Sequence, residues 1–182
     1  NAIYGAYEYM FGRCSYLENS PEIHLVHIGT RCCAHMFYDC SRLIEASAIH
    51  SQSVGYAGCD NMFYSCDNLI QLDLSNFNMT NISNTTDIFK SCSKLQYIRC
   101  NNTSTINTLA PLLYNRTSST QGKIITSSTN VDTTTLSSLN WSVDTSSGTK
   151  IAEYKYDKSI WNYLVPEFNA EFTDYTITDE VD

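Results

Sequence analysis

One pattern, Met-Phe-x-x-Cys-x-x-Leu, returns at a fixed interval of 26 residues, which carries Phe11 to Phe37, Phe63 and Phe89. Its occurrences are Met10-Phe11-Cys14-Leu17, Met36-Phe37-Cys40-Leu43, Met62-Phe63-Cys66-Leu69 and Ile88-Phe89-Cys92-Leu95. A period of this length marks a stack of one small unit, a solenoid, in which each unit buries its apolar side only against its neighbours. Such a stack has a long regular surface and no built-in cleft. The expected function therefore lies nearer recognition than catalysis.

Each unit has two halves with different periods. Cys33, Met36, Phe37 and Cys40 are spaced i, i+3, i+4, i+7, which predicts a short helix with one apolar face. The groups beginning at Tyr7, Cys59 and Thr85 repeat that spacing. The next stretch alternates, with Leu69, Leu72 and Leu74 facing one way and Gln71 and Asp73 the other, as in a strand of about five residues buried on one side. Leu95, Ile98 and Cys100 continue that ladder. Equivalent strands must stack parallel, with the helices forming a second layer. The strand signal is weaker in the first unit, at Ser20-Pro21-Glu22, and in the second, where Ala46 and Ala48 hold the inward positions.

Eight cysteines would ordinarily suggest a disulfide framework. Here seven follow the repeat: Cys14, Cys40, Cys66 and Cys92 share one position, Cys33 and Cys59 another, and Cys100 stands where Leu74 does one unit earlier. Small buried hydrophobes behave this way. Equivalent positions on neighbouring helices are roughly 8–10 Å apart, beyond the ~7 Å that a disulfide spans between Cα atoms. Reduced core thiols are expected, the core being Phe11, Cys14, Phe37, Cys40, Phe63, Cys66, Phe89 and Cys92. Cys32 alone breaks register and is expected to be the exposed, reactive thiol.

The run from Asn61 to Ile82, with Phe and Cys on one half and Leu-x-x-Leu-x-Leu on the other, resembles the BspA-like leucine-rich repeats of bacterial surface proteins and gut bacteriophage proteins. The resemblance covers about residues 5–103. It implies an α/β leucine-rich-repeat-type parallel solenoid of four 26-residue helix-strand units over residues 1–103. It also implies a place on a bacterial cell surface or a phage virion, with a protein or glycan of a cell surface as partner.

From Ser104 the character changes. Thr105 to Leu113 reads as a short helix containing Pro111, Gly122 to Thr126 as a strand, Asp132 as the cap of a helix from Thr133 to Leu139, and Trp141 to Val143 as a last strand. Residues 104–149 thus suit an α/β unit that closes the solenoid. Residues 150–182 are aromatic and acidic, with 8 acids against 3 bases, whereas residues 1–149 carry 11 against 8. They are too few for a core of their own. They read as the truncated β opening of a further domain, or as an assembly strand for a homo-oligomer or a virion partner.

The formal charge of −8 offers no basic footprint for nucleic acid and no polybasic patch for lipid, and no apolar run is long enough to insert in a membrane. His24, His27, Cys32, Cys33 and His35 crowd twelve residues, yet no Cys-x-x-Cys pair accompanies them, so ordinary loop histidines are expected rather than a metal or cofactor. A Cys32–His35 nucleophile has no supporting signature, and no catalytic residue is expected. Seven Asn-x-Ser/Thr triplets, from Asn78 to Asn140, are read as polar turns rather than glycosylation sites. Two outer surfaces remain as candidate binding strips. One is the outward columns of the sheet, Glu45, Gln71 and Tyr97 beside Ser47, Asp73 and Arg99; the other is Tyr38 and Tyr64, one residue after the core Phe. The expected role is a non-catalytic recognition module of a larger exposed protein, the alternative being a structural spacer that assembles through its C-terminal segment.

Overall fold

The computed structural model describes residues 4–80, 86–114, 116–117 and 119–145. The aromatic segment 150–182 lies outside the described residues. The chain winds as a parallel β-solenoid. Its strands are β1 (Ile23–His24), β2 (His27–Ile28), β3 (Glu45–Ala46), β4 (Ile49–His50), β5 (Ser53–Val54), β6 (Gln71–Asp73), β7 (Tyr97–Arg99), β8 (Gly122–Ile125) and β9 (Trp141–Asp144). Every named pairing is parallel. Until the last coil each residue meets the one 26 positions on: Ile23 with Ile49, His27 with Ser53, Glu45 with Gln71, Gln71 with Tyr97, Tyr97 with Lys123. The final coil is shorter and sets Gly122 opposite Trp141.

The principal sheet has the order β3-β6-β7-β8-β9, and two smaller ones pair β1 with β4 and β2 with β5. The inward column Ala46, Leu72, Ile98 and Ile124 is buried, as are Leu43, Leu69 and Leu95 at the preceding corner. Strands of two to four residues suffice because each coil is held along the stack by neighbours on both sides. The 26-residue step runs past residue 103 without a break in the sheet.

Among the described residues the expected helices at Cys33–Cys40 and its equivalents are absent. In their place is a wall of overlapping β-turns. The N–H groups of Ala34, Met36, Tyr38 and Cys40 donate to the carbonyls three residues back. Those of Cys33, His35, Phe37 and Asp39 donate outward to Gly58, Asp60, Met62 and Tyr64 of the next coil. Half the donors close turns and half stitch the stack, so the backbone is satisfied without a helix. Every fourth residue takes a positive φ, as at Arg31 (52°), His35 (57°) and Asp39 (57°), and again at Ala57, Asn61 and Ser65. That is the third-residue geometry of a type II turn. A four-residue repeat makes Cys33 equivalent to Phe37, and Met36 to Cys40. Over seven residues that spacing is indistinguishable from a 3.6-residue helix, which is why the pattern reads as helical.

Flat coils also shorten the stack. Strand-like neighbours lie about 4.8 Å apart, not the 8–10 Å of packed helices. The core phenylalanines record this step: Phe11–Phe37, Phe37–Phe63 and Phe63–Phe89 stack with centroids 5.2, 5.3 and 6.1 Å apart and planes within 18°. The distance argument for reduced thiols therefore fails, although all eight cysteines are free. What occupies the column is a hydrogen-bond ladder. The thiols of Cys40, Cys66 and Cys92 donate to the carbonyls of Phe11, Phe37 and Phe63 at 3.0–3.1 Å. Two further expectations need correction. Cys32, expected exposed, is wholly buried, packed with Cys33 against the next coil. Cys14, expected in the core, is exposed, and Phe11 is only partly buried, because among the described residues a neighbouring coil packs on one side of them alone.

The last two coils replace the turn wall with helices α1 (Thr103–Leu109) and α2 (Thr133–Ser138). Asn102 and Asp132 cap them by accepting the N–H groups of Thr105 and Thr134. Pro111 sits in a 3₁₀ turn, Ala110–Leu112, rather than inside α1. The coils approach closely at Gly58, where an added Cβ would stand 2.8 Å from Val54 Cγ1, 3.0 Å from Ile28 Cγ2 and 3.1 Å from the Gly29 carbonyl oxygen. Gly58→Ala is expected to cost about 1–3 kcal/mol by forcing two coils apart, read as a fall in urea midpoint.

Candidate recognition surface

The turn wall turns its apolar residues inward and leaves the others outside. On that outer side the 26-residue step builds two aromatic columns. Tyr9 stacks on His35, with centroids 4.5 Å apart and planes at 10°; Tyr38 stacks on Tyr64 at 5.1 Å and 16°. The columns touch edge to face, Tyr9 against Tyr38 at 5.9 Å and His35 against Tyr38 at 5.6 Å. Four rings thus form one continuous patch across three coils, with Tyr9 half exposed and the others partly buried. Stacking along the solenoid covers a face of each ring with its neighbour in the next coil.

Charged side chains border the patch at both ends. Arg31 donates to Glu8 at 2.5 Å beside Tyr9 and His35. At the other end Lys90 lies over the Tyr64 ring, 5.6 Å from its centroid, and donates to Asp87 at 3.0 Å, while the Tyr114 hydroxyl donates to the other oxygen of Asp87. Burial holds His35 below the ordinary imidazole value, and the nearby Glu8 carboxylate opposes this only in part. The ring is consequently neutral at pH 7, which suits a surface that must shed water on contact. Its Nδ1 has no hydrogen-bond partner among the described residues and lies 3.9 Å from Glu8 Oε1.

The sheet columns stand on a different segment of each coil. Glu45, Gln71 and Tyr97 align as expected, and Asp73 pairs with Arg99 in register and as an ion pair at 3.6 Å. The Ser47 N–H donates to Ser20 Oγ. All six are partly buried, as are His35, Tyr38 and Tyr64 of the aromatic wall; Tyr9 alone among these ten is exposed.

The cluster of His and Cys between residues 24 and 35 disperses. Cys32 and Cys33 enter the core, His35 joins the aromatic wall, and His27 Nδ1 meets Ser53 Oγ at 2.8 Å. His24 finds a different partner, His50 of the next coil, and the two rings stack at 4.3 Å and 9°. Glu22 joins them: its Oε1 lies 2.7 Å from His50 Nε2 and 3.4 Å from His24 Nε2. The 26-residue step alone aligns Tyr9 with His35 and His24 with His50, and it is the signal by which these residues could have been found.

Compared with protein-family models, curated proteins and solved structures, the chain matches none. Among the described residues no helix is long and apolar enough to cross a membrane.

Proposed function

We propose that the chain is a non-catalytic recognition module of a larger surface-exposed protein, binding a protein or glycan on a bacterial cell through its aromatic wall. The observation that carries this reading is the patch of Tyr9, His35, Tyr38 and Tyr64. Tyrosines held rigid by stacking lose little entropy on binding, and ring and hydroxyl combine apolar contact with hydrogen bonding. Charged groups at the border set orientation more than affinity. The likeness of Asn61–Ile82 to BspA-like leucine-rich repeats supports membership of that family, with the turn wall standing where a helix is expected. It favours a phage virion protein or a bacterial adhesin, and we place the chain with the virion because the repeats are few. Residues 104–149 serve in this reading as the unit that closes the stack.

The alternative is a spacer that assembles through residues 150–182. Binding of the labelled 182-residue chain to a panel of intact bacteria, beside a version ending at Thr145, separates the two. The recognition reading expects strain-selective binding by both chains. Binding by neither, with oligomers formed only by the longer chain, would replace it with the assembly reading.

A further inference from the structure

We propose that Glu22, His24 and His50 form a site for a divalent transition ion, zinc foremost, that joins the first two coils. The three offer one ligand atom each, all within 4.8 Å of one another. Zinc binds imidazole nitrogen and carboxylate oxygen at about 2.0–2.2 Å, which sets tetrahedral ligand atoms roughly 3.3–3.5 Å apart. Glu22 Oε1 and His24 Nε2 already have that separation, at 3.4 Å. Glu22 and His50, hydrogen-bonded at 2.7 Å, need to part by less than an ångström, and the His24 and His50 rings, stacked within 9° of parallel, must swing so that both Nε2 lone pairs converge on the ion. Two imidazoles and one carboxylate prefer zinc, nickel or copper(II) to magnesium or calcium, which take oxygen ligands. Glu22 and His24 are exposed and His50 partly so, which leaves the remaining coordination positions to water.

Among the described residues the site occurs once because the repeat supplies it once. One coil further on, the histidine column continues with Asn76, and the Glu22 column passes through Ala48 and Leu74. The ligands thus come from the first two coils alone. In the first coil Phe11 is only partly buried and Cys14 is exposed. A metal bridging β1 and β4 would fasten the least covered coil to the stack.

Equilibrium dialysis of the full chain against micromolar zinc chloride, with a non-thiol reductant, tests this directly. One equivalent of zinc is expected, together with a rise in melting temperature. His24→Asn and His50→Asn introduce the residue that the third coil carries in the same column, so the fold is preserved. Each is expected to weaken zinc binding at least about tenfold and to abolish the thermal shift, while His27→Asn leaves both unchanged. Zinc retained equally by the doubly substituted His24→Asn/His50→Asn chain, or no zinc retained by the wild type, would overturn the proposal.

Discussion

Raising the pH from 8 to 10 is expected to destabilise this protein by several kcal/mol, enough to unfold much of it. Six thiols are responsible. Burial pushes Cys40 and Cys100 from the ordinary 9.0 up to about 11 and Cys92 up to about 12, and raises Cys33, Cys59 and Cys66 strongly. All six are at most 1% exposed. Between the unfolded and folded values the native state keeps its thiol protons while the unfolded chain loses them, so stability falls as pH rises. The contribution is complete below pH 9; for Cys40, Cys100 and Cys92 it is lost between there and pH 11 to 12, and for Cys33, Cys59 and Cys66 the loss continues to higher pH. By pH 10 each thiol costs on the order of 1 kcal/mol, and six together approach the 5–15 kcal/mol typical of a whole domain. Urea midpoints measured across this range should be flat to about pH 8.5 and then fall with a steepening slope. A midpoint unchanged at pH 10 would mean that the cysteine ladder is open to solvent.

Phe63→Ala is expected to cost about 3–5 kcal/mol for the ring's burial and the cavity left behind, with about 1 kcal/mol more for each lost aromatic neighbour. The ring is 1% exposed and lies between Phe37 and Phe89. Its carbonyl also accepts both the Cys66 N–H and the Cys92 thiol, so movement of its backbone disturbs two coils. Phe11→Ala should cost roughly half as much, because Phe11 has one ring neighbour and is only partly buried. Chemical denaturation of both variants checks the ordering. Equal losses would be incompatible with one ring neighbour for Phe11 against two for Phe63.

The 26-residue step made the long-range pairing legible, since in any parallel stack residue i sits beside residue i+26 whatever the local backbone does. Asp73 and Arg99 were accordingly placed side by side correctly. The strands Gly122–Ile125 and Trp141–Asp144 and the Asp132 cap were also readable from local signals. The turn wall was not. Its apolar residues recur at a spacing shared by a helix and by a four-residue turn repeat. The distinguishing sign lay in the polar positions, for Asp39, Asn61, Ser65, Asp87 and Ser91 are turn formers placed where positive φ falls. The exposure of Cys14 follows from a neighbouring coil on one side only among the described residues, which a repeat motif does not encode. His24 and His35 belong to columns that cross the coils, and reading them along the chain as a loop cluster separated each from its true neighbour.

The central claim is that the aromatic wall makes the contact with the cell. Titration of the wild type and of the Tyr38→Ala/Tyr64→Ala chain onto the bacterial strain that binds best tests it most directly. Arg99→Ala serves as the comparison, because its ion pair with Asp73 lies on the sheet and is worth at most about 1 kcal/mol. The account predicts a loss of about 30-fold or more in affinity for the double tyrosine variant, the scale of an interface hot spot. Arg99→Ala should bind nearly as the wild type does, and all three chains should keep the same far-UV spectrum. Undiminished binding by the tyrosine variant would contradict the claim and move recognition elsewhere on the chain.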